Sequence, residues 1–194
     1  MRITIAVATG LMLACLAACG SSSRNAPTTT KAVNPNAKEK SPPGDIPDTQ
    51  VYVPFTLPGQ GITVKVPEGW SRITSGKALV FTDNLNSVRI QTQPAAKPLS
   101  VAAVKKNQLH ELRMTKGFKA GSVSKLARAG GTAMRIRYLA IAPPNAVTGK
   151  SVTDAVERYL YVHKGKELIL TLSGPQGADN VDPWRLISNS VRWK

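Results

Sequence analysis

Ile62-Thr63-Val64-Lys65-Val66-Pro67-Glu68-Gly69-Trp70 is the stretch on which the reading of the fold turns. Ile62, Val64 and Val66 alternate with Thr63 and Lys65, and a period of two places the apolar set on one face of a half-buried strand. Pro67, Glu68 and Gly69 then make a turn that ends in an aromatic, and residues 56–61 before the strand read as another turn. The same grammar recurs downstream. Ala78-Leu79-Val80-Phe81-Thr82, bounded by Gly76 and by Asp83-Asn84, is a short apolar strand. Ser87-Val88-Arg89-Ile90-Gln91-Thr92 alternates again and pairs with it as a hairpin.

Pro98-Leu99-Ser100 changes the period. Ser100 suits a helix N-cap, Val101, Val104, Leu109 and Leu112 lie in a broad stripe, and Gly117 suits the C-terminal stop. His110 points away from that stripe. Three strands are expected next, over residues 121–126, 131–141 and 152–163. In the middle one, Ala133, Arg135 and Arg137 alternate with Met134, Ile136 and Tyr138. Lys164-Gly165-Lys166 is a hairpin turn into 167–173, whose Leu168-Ile169-Leu170 is the densest apolar run. Asp182-Pro183-Trp184 starts a last helix, with Asp182 as N-cap and Pro183 at the first helical position, so that Trp184, Ile187 and Val191 face the sheet. Runs of strands with segregated helices argue for an α+β domain, an antiparallel β-sheet flanked by helices, and against a doubly wound fold. No internal repeat of fixed period is visible.

Ahead of this domain the chain reads as an export signal. Arg2 gives a short basic region, and residues 3–18 are almost wholly apolar. That run falls short of the roughly 20 apolar residues a spanning helix needs, but suits a signal peptide. Leu16-Ala17-Ala18-Cys19 resembles the lipobox of bacterial lipoproteins, in which the cysteine takes a diacylglyceryl group and the chain is cut before it. Residues 1–18 are therefore expected to be a signal peptide, and Cys19 the lipidated residue. An ordinary secretory signal with an incidental Cys19 is the plainer alternative. Cys15 is a poorer acceptor, because the apolar region before it would be cut short. Residues 19–49, rich in Ser, Thr, Asn, Pro and Lys, bury too little apolar surface to offset chain entropy and are expected to be a disordered tether.

Residues 50–194 are then one domain, long enough to bury its own core. They carry 21 Lys and Arg against 8 Asp and Glu, within a chain of formal charge +15. A basic domain beside a membrane suits anionic lipid headgroups or acidic cell-wall polymers, each nearby cation adding about 1 kcal/mol at an anionic surface. The plainer reading is that the cations solvate the surface. Nucleic acid fits neither the compartment nor the motifs.

Catalytic chemistry has little to stand on. After cleavage the expected mature chain keeps one cysteine, itself modified, which excludes disulfides, thiol catalysis and Cys-based metal sites. His110 and His163 have no HExxH-like spacing and no carboxylate cluster. Asp154 and Glu157 are the nearest acidic pair, but a spacing of three puts them on opposite faces of a strand. Ser173-Gly174-Pro175 and Gly130-Gly131 are turn chemistry. Trp70 and Trp184 sit at element boundaries, where an aromatic is more often core than pocket wall. Trp70 with Arg135 and Arg137 is the candidate ligand-binding set. No catalytic residue, metal or cofactor is implied.

Ile62 to Trp70, Ala78-Leu79-Val80-Phe81, and the closing Asp179-Asn180-Val181-Asp182-Pro183-Trp184 with Ser188-Asn189-Ser190 together resemble the PsbP-like fold, and within it the LpqN-type lipoproteins of actinobacteria. The resemblance covers most of the domain and its motifs are structural. It implies an antiparallel sheet with helices on its faces, an αβα sandwich, in proteins that act as binding or accessory factors. It brings no catalytic residues. The expected function is a non-catalytic binding or accessory lipoprotein, held by Cys19 on the extracytoplasmic face of the cell membrane and contacting an envelope protein. The alternative is a carrier or sensor of an anionic lipid or glycolipid.

Overall fold

Tyr52–Leu57 and Ile62–Pro67 form the first two strands, β1 and β2, paired antiparallel with Phe55 opposite Val64. The alternation in β2 works as expected: Ile62, Val64 and Val66 are buried, while Thr63 and Lys65 face outward. Then follow β3 (Ser71–Ser75), β4 (Ala78–Thr82), β5 (Ser87–Pro94), α1 (Val101–Leu112), β6 (Lys119–Arg128), β7 (Gly131–Ile141), β8 (Thr153–His163), β9 (Lys166–Pro175), α2 (Val181–Asn189) and β10 (Arg192–Trp193). The computed structural model describes residues 42–83, 85–95, 99–145 and 147–194. These fall in one compact unit, Glu39–Lys194. The expected signal peptide, Cys19 and the tether up to residue 41 lie outside the described residues.

The strands divide into two sheets. Seven are antiparallel neighbours in the order β3-β4-β5-β9-β8-β7-β6, and β1-β2-β10 make a separate small sheet. β2 thus belongs to a layer of its own and not to the main sheet. One face of the main sheet meets the small sheet and α2 in a core that includes Ile62, Val64, Phe81, Ile90, Tyr161, Leu170 and Ile187. The other face meets α1 in a second core, with Val104 and Leu112 against Met134, Ile136, Tyr138 and Leu160. Each fully buried aliphatic side chain in these cores is worth about 1.5 to 3 kcal/mol relative to exposure. The architecture is α+β, as the segregation of strands and helices requires.

Local chemistry sets the joints. Ser100 caps α1, its hydroxyl accepting from the Ala103 amide at 3.1 Å. Lys164 and Gly165 both have positive φ, which suits a tight turn whose twist matches its flanking strands, and they join β8 to β9. α2 begins earlier than its Asp-Pro pair suggests. Asn180 occupies the N-cap position and Asp182 lies in the first turn. The Asn180 side chain does not cap the helix; it is spent on other segments of the chain, as below.

Three strands escape a pattern-based reading. β1 carries Pro54 and no clean alternation, β3 is exposed at every position, and β10 has two residues. The folded body also starts before the boundary drawn at residue 50. Ile46 is buried in the core, its amide donates to Asn180 Oδ1 at 2.8 Å, and Asp45 Oδ1 accepts from the Asp179 amide at 2.8 Å. Polar composition concealed this anchor because a single apolar residue carries it. Among the described residues no helix is long and apolar enough to cross a membrane.

Candidate functional site

α2 and the small sheet cover only part of their face of the main sheet. Where β6 and β7 run out beyond α2, the uncovered surface forms a groove of about 550 Å³. Its floor is Leu139 of β7, Ala155 of β8 and the flank of Trp184, and its outer wall is the first turn of α2, with the exposed Val181. Lys119, Arg137 and Glu157 stand at the rim. A break in the β6–β7 register between Ala120 and Val123 shapes one end. Gly121 sits in that bulge, and a Cβ there would lie 2.6 Å from the Arg137 carbonyl oxygen, so only glycine permits the approach.

Register places further cations on the same face. Leu126 opposes Ala133, Ser124 opposes Arg135, and Arg128 opposes Gly131, so Arg128, Arg135, Arg137 and Lys119 all look toward the α2 side. Their counter-charge from β8 is Glu157. One of its oxygens lies 3.3 Å from Arg135 Nη1 and 3.3 Å from Arg137 Nε, and the other accepts from the Tyr159 hydroxyl. The guanidinium of Arg128 sits 5.9 Å above the Tyr159 ring. Burial, reinforced by the bond to Glu157, pushes the Tyr159 phenol above its usual range and keeps it a donor. Glu157 is thus held by two cations and a phenol, which leaves a surplus of positive charge along the row.

The candidate set chosen from sequence is divided by this geometry. Arg137 lines the groove, and Arg135 supports it from behind through Glu157. Trp70 lies elsewhere, half-buried in a cleft with Phe55, Arg72 and Phe81, where Arg72 stacks on the Phe55 ring at 5.6 Å. Trp70 and the arginines therefore do not share a pocket, because β2 and its turn belong to the small sheet. Trp184 does line the groove, although it is mostly core. Lys119, Ala155 and Val181 were not singled out. Their sequence signals were weak: a glycine within a strand at Gly121, and an apolar residue just ahead of Asp182-Pro183.

Chemically the groove offers an apolar floor, a cationic rim and an oriented carboxylate. The histidines are remote from it: His110 is exposed on α1, and His163 stacks on Trp193 at 5.2 Å. Among the described residues no group of three or more His, Cys, Asp or Glu stands ready to hold a metal.

No protein-family profile matches the chain, and no curated protein matches it. Solved structures do. The solution structure of cyanobacterial PsbP (CyanoP) from Synechocystis sp. PCC 6803 superposes over 78% of this chain and 98% of its own, at 12% identity and TM-score 0.53. LpqN of Mycobacterium tuberculosis, described as involved in cell envelope biogenesis, matches 74% of this chain and 91% of its own, at 17% identity and TM-score 0.47. The Ran-binding protein Mog1p of Saccharomyces cerevisiae matches 75% and 96%, at 15% identity and TM-score 0.49. The CyanoP likeness shows that the chain has the PsbP-like fold.

Proposed function

We propose that this PsbP-like chain is a lipoprotein held through Cys19 on the extracytoplasmic face of the cell membrane, where it acts as a non-catalytic binding or accessory protein of the envelope. The observation that carries the binding role is the groove beside α2: an open apolar floor at the rim of a row of cations. Such a surface fits a partner that presents an apolar side chain next to acidic groups. The apolar contact supplies affinity, and the cations supply orientation and speed of encounter. The anchor rests on the Leu16-Ala17-Ala18-Cys19 motif. The held state of Glu157 supports a non-catalytic role, since a base must be free to take a proton and this carboxylate is engaged on both oxygens.

The test is site-specific photo-crosslinking in intact cells, with the reactive residue at Val181 in the groove and, as control, at Met114, exposed beyond the end of α1. One dominant protein crosslinked from position 181 and absent from 114 is expected. Equal patterns from both positions would overturn the assignment of the groove.

A second reading, a carrier or sensor of an anionic lipid or glycolipid, draws on the same groove, whose volume lies within the 300 to 1,000 Å³ typical of ligand sites. Binding to phosphatidylglycerol vesicles that is lost in salt and absent with phosphatidylcholine would favour it. Equal binding to both would exclude its electrostatic basis.

A further inference from the structure

Two loops project together at the end of the main sheet where β6 begins and β7 stops. Residues 113–118 lead from α1 into β6, and a longer loop joins β7 to β8. The Ile141 amide donates to the Lys116 carbonyl at 2.8 Å. Gly117, at φ +69°, lies so close to Ile141 that a Cβ there would collide with its side chain, so the loops are locked at their bases.

Each loop carries a nearly bare apolar side chain. Met114 is 88% exposed and Val147 is 92% exposed, the two most exposed large hydrophobics among the described residues. Cations accompany both. Arg113 and Lys116 lie on the first loop, Lys119 at the start of β6 and Lys150 on the second loop, all exposed. Residues 113–118 and 142–152 include no acid. Glu111 lies back on α1, Asp154 is buried, and Asp45 and Asp179 sit by the start of α2.

The backbone of both tips is satisfied from within. Asn145 Oδ1 accepts from the Val147 and Thr148 amides at 3.0 and 2.9 Å. The Asn145 amide donates to the Lys150 carbonyl at 2.9 Å, and its carbonyl accepts from the Gly149 amide at 2.8 Å. On the other loop the Met114 amide donates to the Glu111 carbonyl at 3.2 Å and the Thr115 amide to the Leu112 carbonyl at 2.9 Å. A tip whose amides are already paired leaves water without forfeiting backbone hydrogen bonds.

We propose that this end of the domain docks on an anionic bilayer surface, with Met114 and Val147 entering the boundary between headgroups and acyl chains and the four cations lying at phosphate level. Two lone tips on separate loops, lining neither of the clefts described above, offer a protein no continuous patch to pack on. An interface plane needs none: apolar projections give depth, and the cations behind them meet anionic headgroups. The course of the chain agrees. Gly44 lies so close to Pro175 that a Cβ would collide with it, and Pro175 opposes Asp154 at the foot of the second loop. The first described residues therefore lie at this same end of the sheet. Two apolar side chains and four cations make a weak site alone. The site gains from a chain already held at the membrane, where a tether keeps its local concentration high, and to that extent the docking rests on the Cys19 anchor proposed above.

The test uses the mature full-length protein, purified from membranes and reconstituted in vesicles, with an environment-sensitive fluorescent residue at position 147. The control places it at position 77, in the β3–β4 turn toward the opposite end of the main sheet. With phosphatidylglycerol in phosphatidylcholine, emission from 147 is expected to shift to the blue while that from 77 stays unchanged. With phosphatidylcholine alone neither shifts. Lys116→Gln and Lys150→Gln are each expected to lower the docked-to-free ratio about fivefold. No shift at 147 with phosphatidylglycerol, an equal shift in both vesicles, equal shifts at 147 and 77, or indifference to both lysine substitutions would each overturn the proposal. The mass of the N-terminal peptide reads the anchor separately. A lipidated chain without a shift at 147 removes the docking and leaves the anchor, whereas a shift in a chain without lipid leaves the docking and removes the anchor.

Discussion

Asn180 and Asn86 join side chain to side chain in the interior, Nδ2 of Asn180 donating to Oδ1 of Asn86 at 3.0 Å. The same amide nitrogen donates to the Gly44 carbonyl at 2.9 Å, and Asn180 Oδ1 accepts from the Ile46 amide at 2.8 Å. One buried amide therefore ties the N-terminal segment, the β4–β5 turn and the start of α2. Gly174 of β9 passes so close that a Cβ there would collide with both asparagines. The arrangement explains why α2 starts at an asparagine that does not cap it.

Asn180→Ala should accordingly be among the costlier single changes. It leaves the Ile46 amide and Asn86 Oδ1 unpaired in the interior, a loss of roughly 2 to 4 kcal/mol. Denaturant unfolding of the variant measures it. A loss below about 0.5 kcal/mol, the level of an ordinary surface change, would contradict the tie.

The two ion pairs of Glu157 should differ in strength although both measure 3.3 Å. The Arg135 side chain is 24% exposed and that of Arg137 is 59% exposed, so solvent screens the second pair more. Double-mutant cycles are expected to give a coupling within about 0.2 to 1 kcal/mol for Arg137 and a larger one for Arg135. Equal couplings would mean that burial does not govern this cluster.

Asp154 confers a pH dependence of opposite sign to that of a salt-bridged acid. Burial raises its pKa to about 6, against a lowering bond from Ser173. Its Oδ1 has no partner among the described residues. Because the folded state holds the proton more tightly than the unfolded one, stability is highest in acid and declines as pH climbs from the unfolded pKa toward the folded value. The decline should amount to roughly 1 to 3 kcal/mol between about pH 4 and about pH 7 once solvent screening is allowed for. Asp154→Asn should remove it and leave the variant more stable than the parent near neutrality. Unfolding free energies across that range decide the matter; parallel curves for the two proteins would refute it.

If the proposed diacyl anchor at Cys19 is what holds the chain, each buried methylene adding about 0.8 kcal/mol, Cys19→Ala should release it from the membrane fraction. Fractionation with mass spectrometry of the N-terminal peptide reads it. Persistence of the variant in washed membranes would point to another means of attachment.

Where the sequence was legible, one period dominated. Strands β2, β5 and β7 alternate, β4 is a short apolar run between turn residues, and Ser100 is a local cap that needs nothing from the rest of the chain. β3 has no apolar face to announce it, since its partner β4 supplies the hydrophobic side. The groove was half legible. Arg137 stands out in an alternating strand, but Val181 and Ala155 acquire meaning only when α2 is laid across β8.

The sequence by itself determined the class of fold, the identity of its main strands and helices, the excess of positive charge and the lipobox-like run Leu16-Ala17-Ala18-Cys19. All of these follow from local patterns, propensity and composition. Only the tertiary structure decided that β2 would leave the main sheet, that Trp70 and Arg137 would line different clefts, and that Asn180 would bond to two distant segments, the N-terminal one and the β4–β5 turn. Each of these depends on which residues distant in sequence come within hydrogen-bond or packing distance, and no local period encodes that.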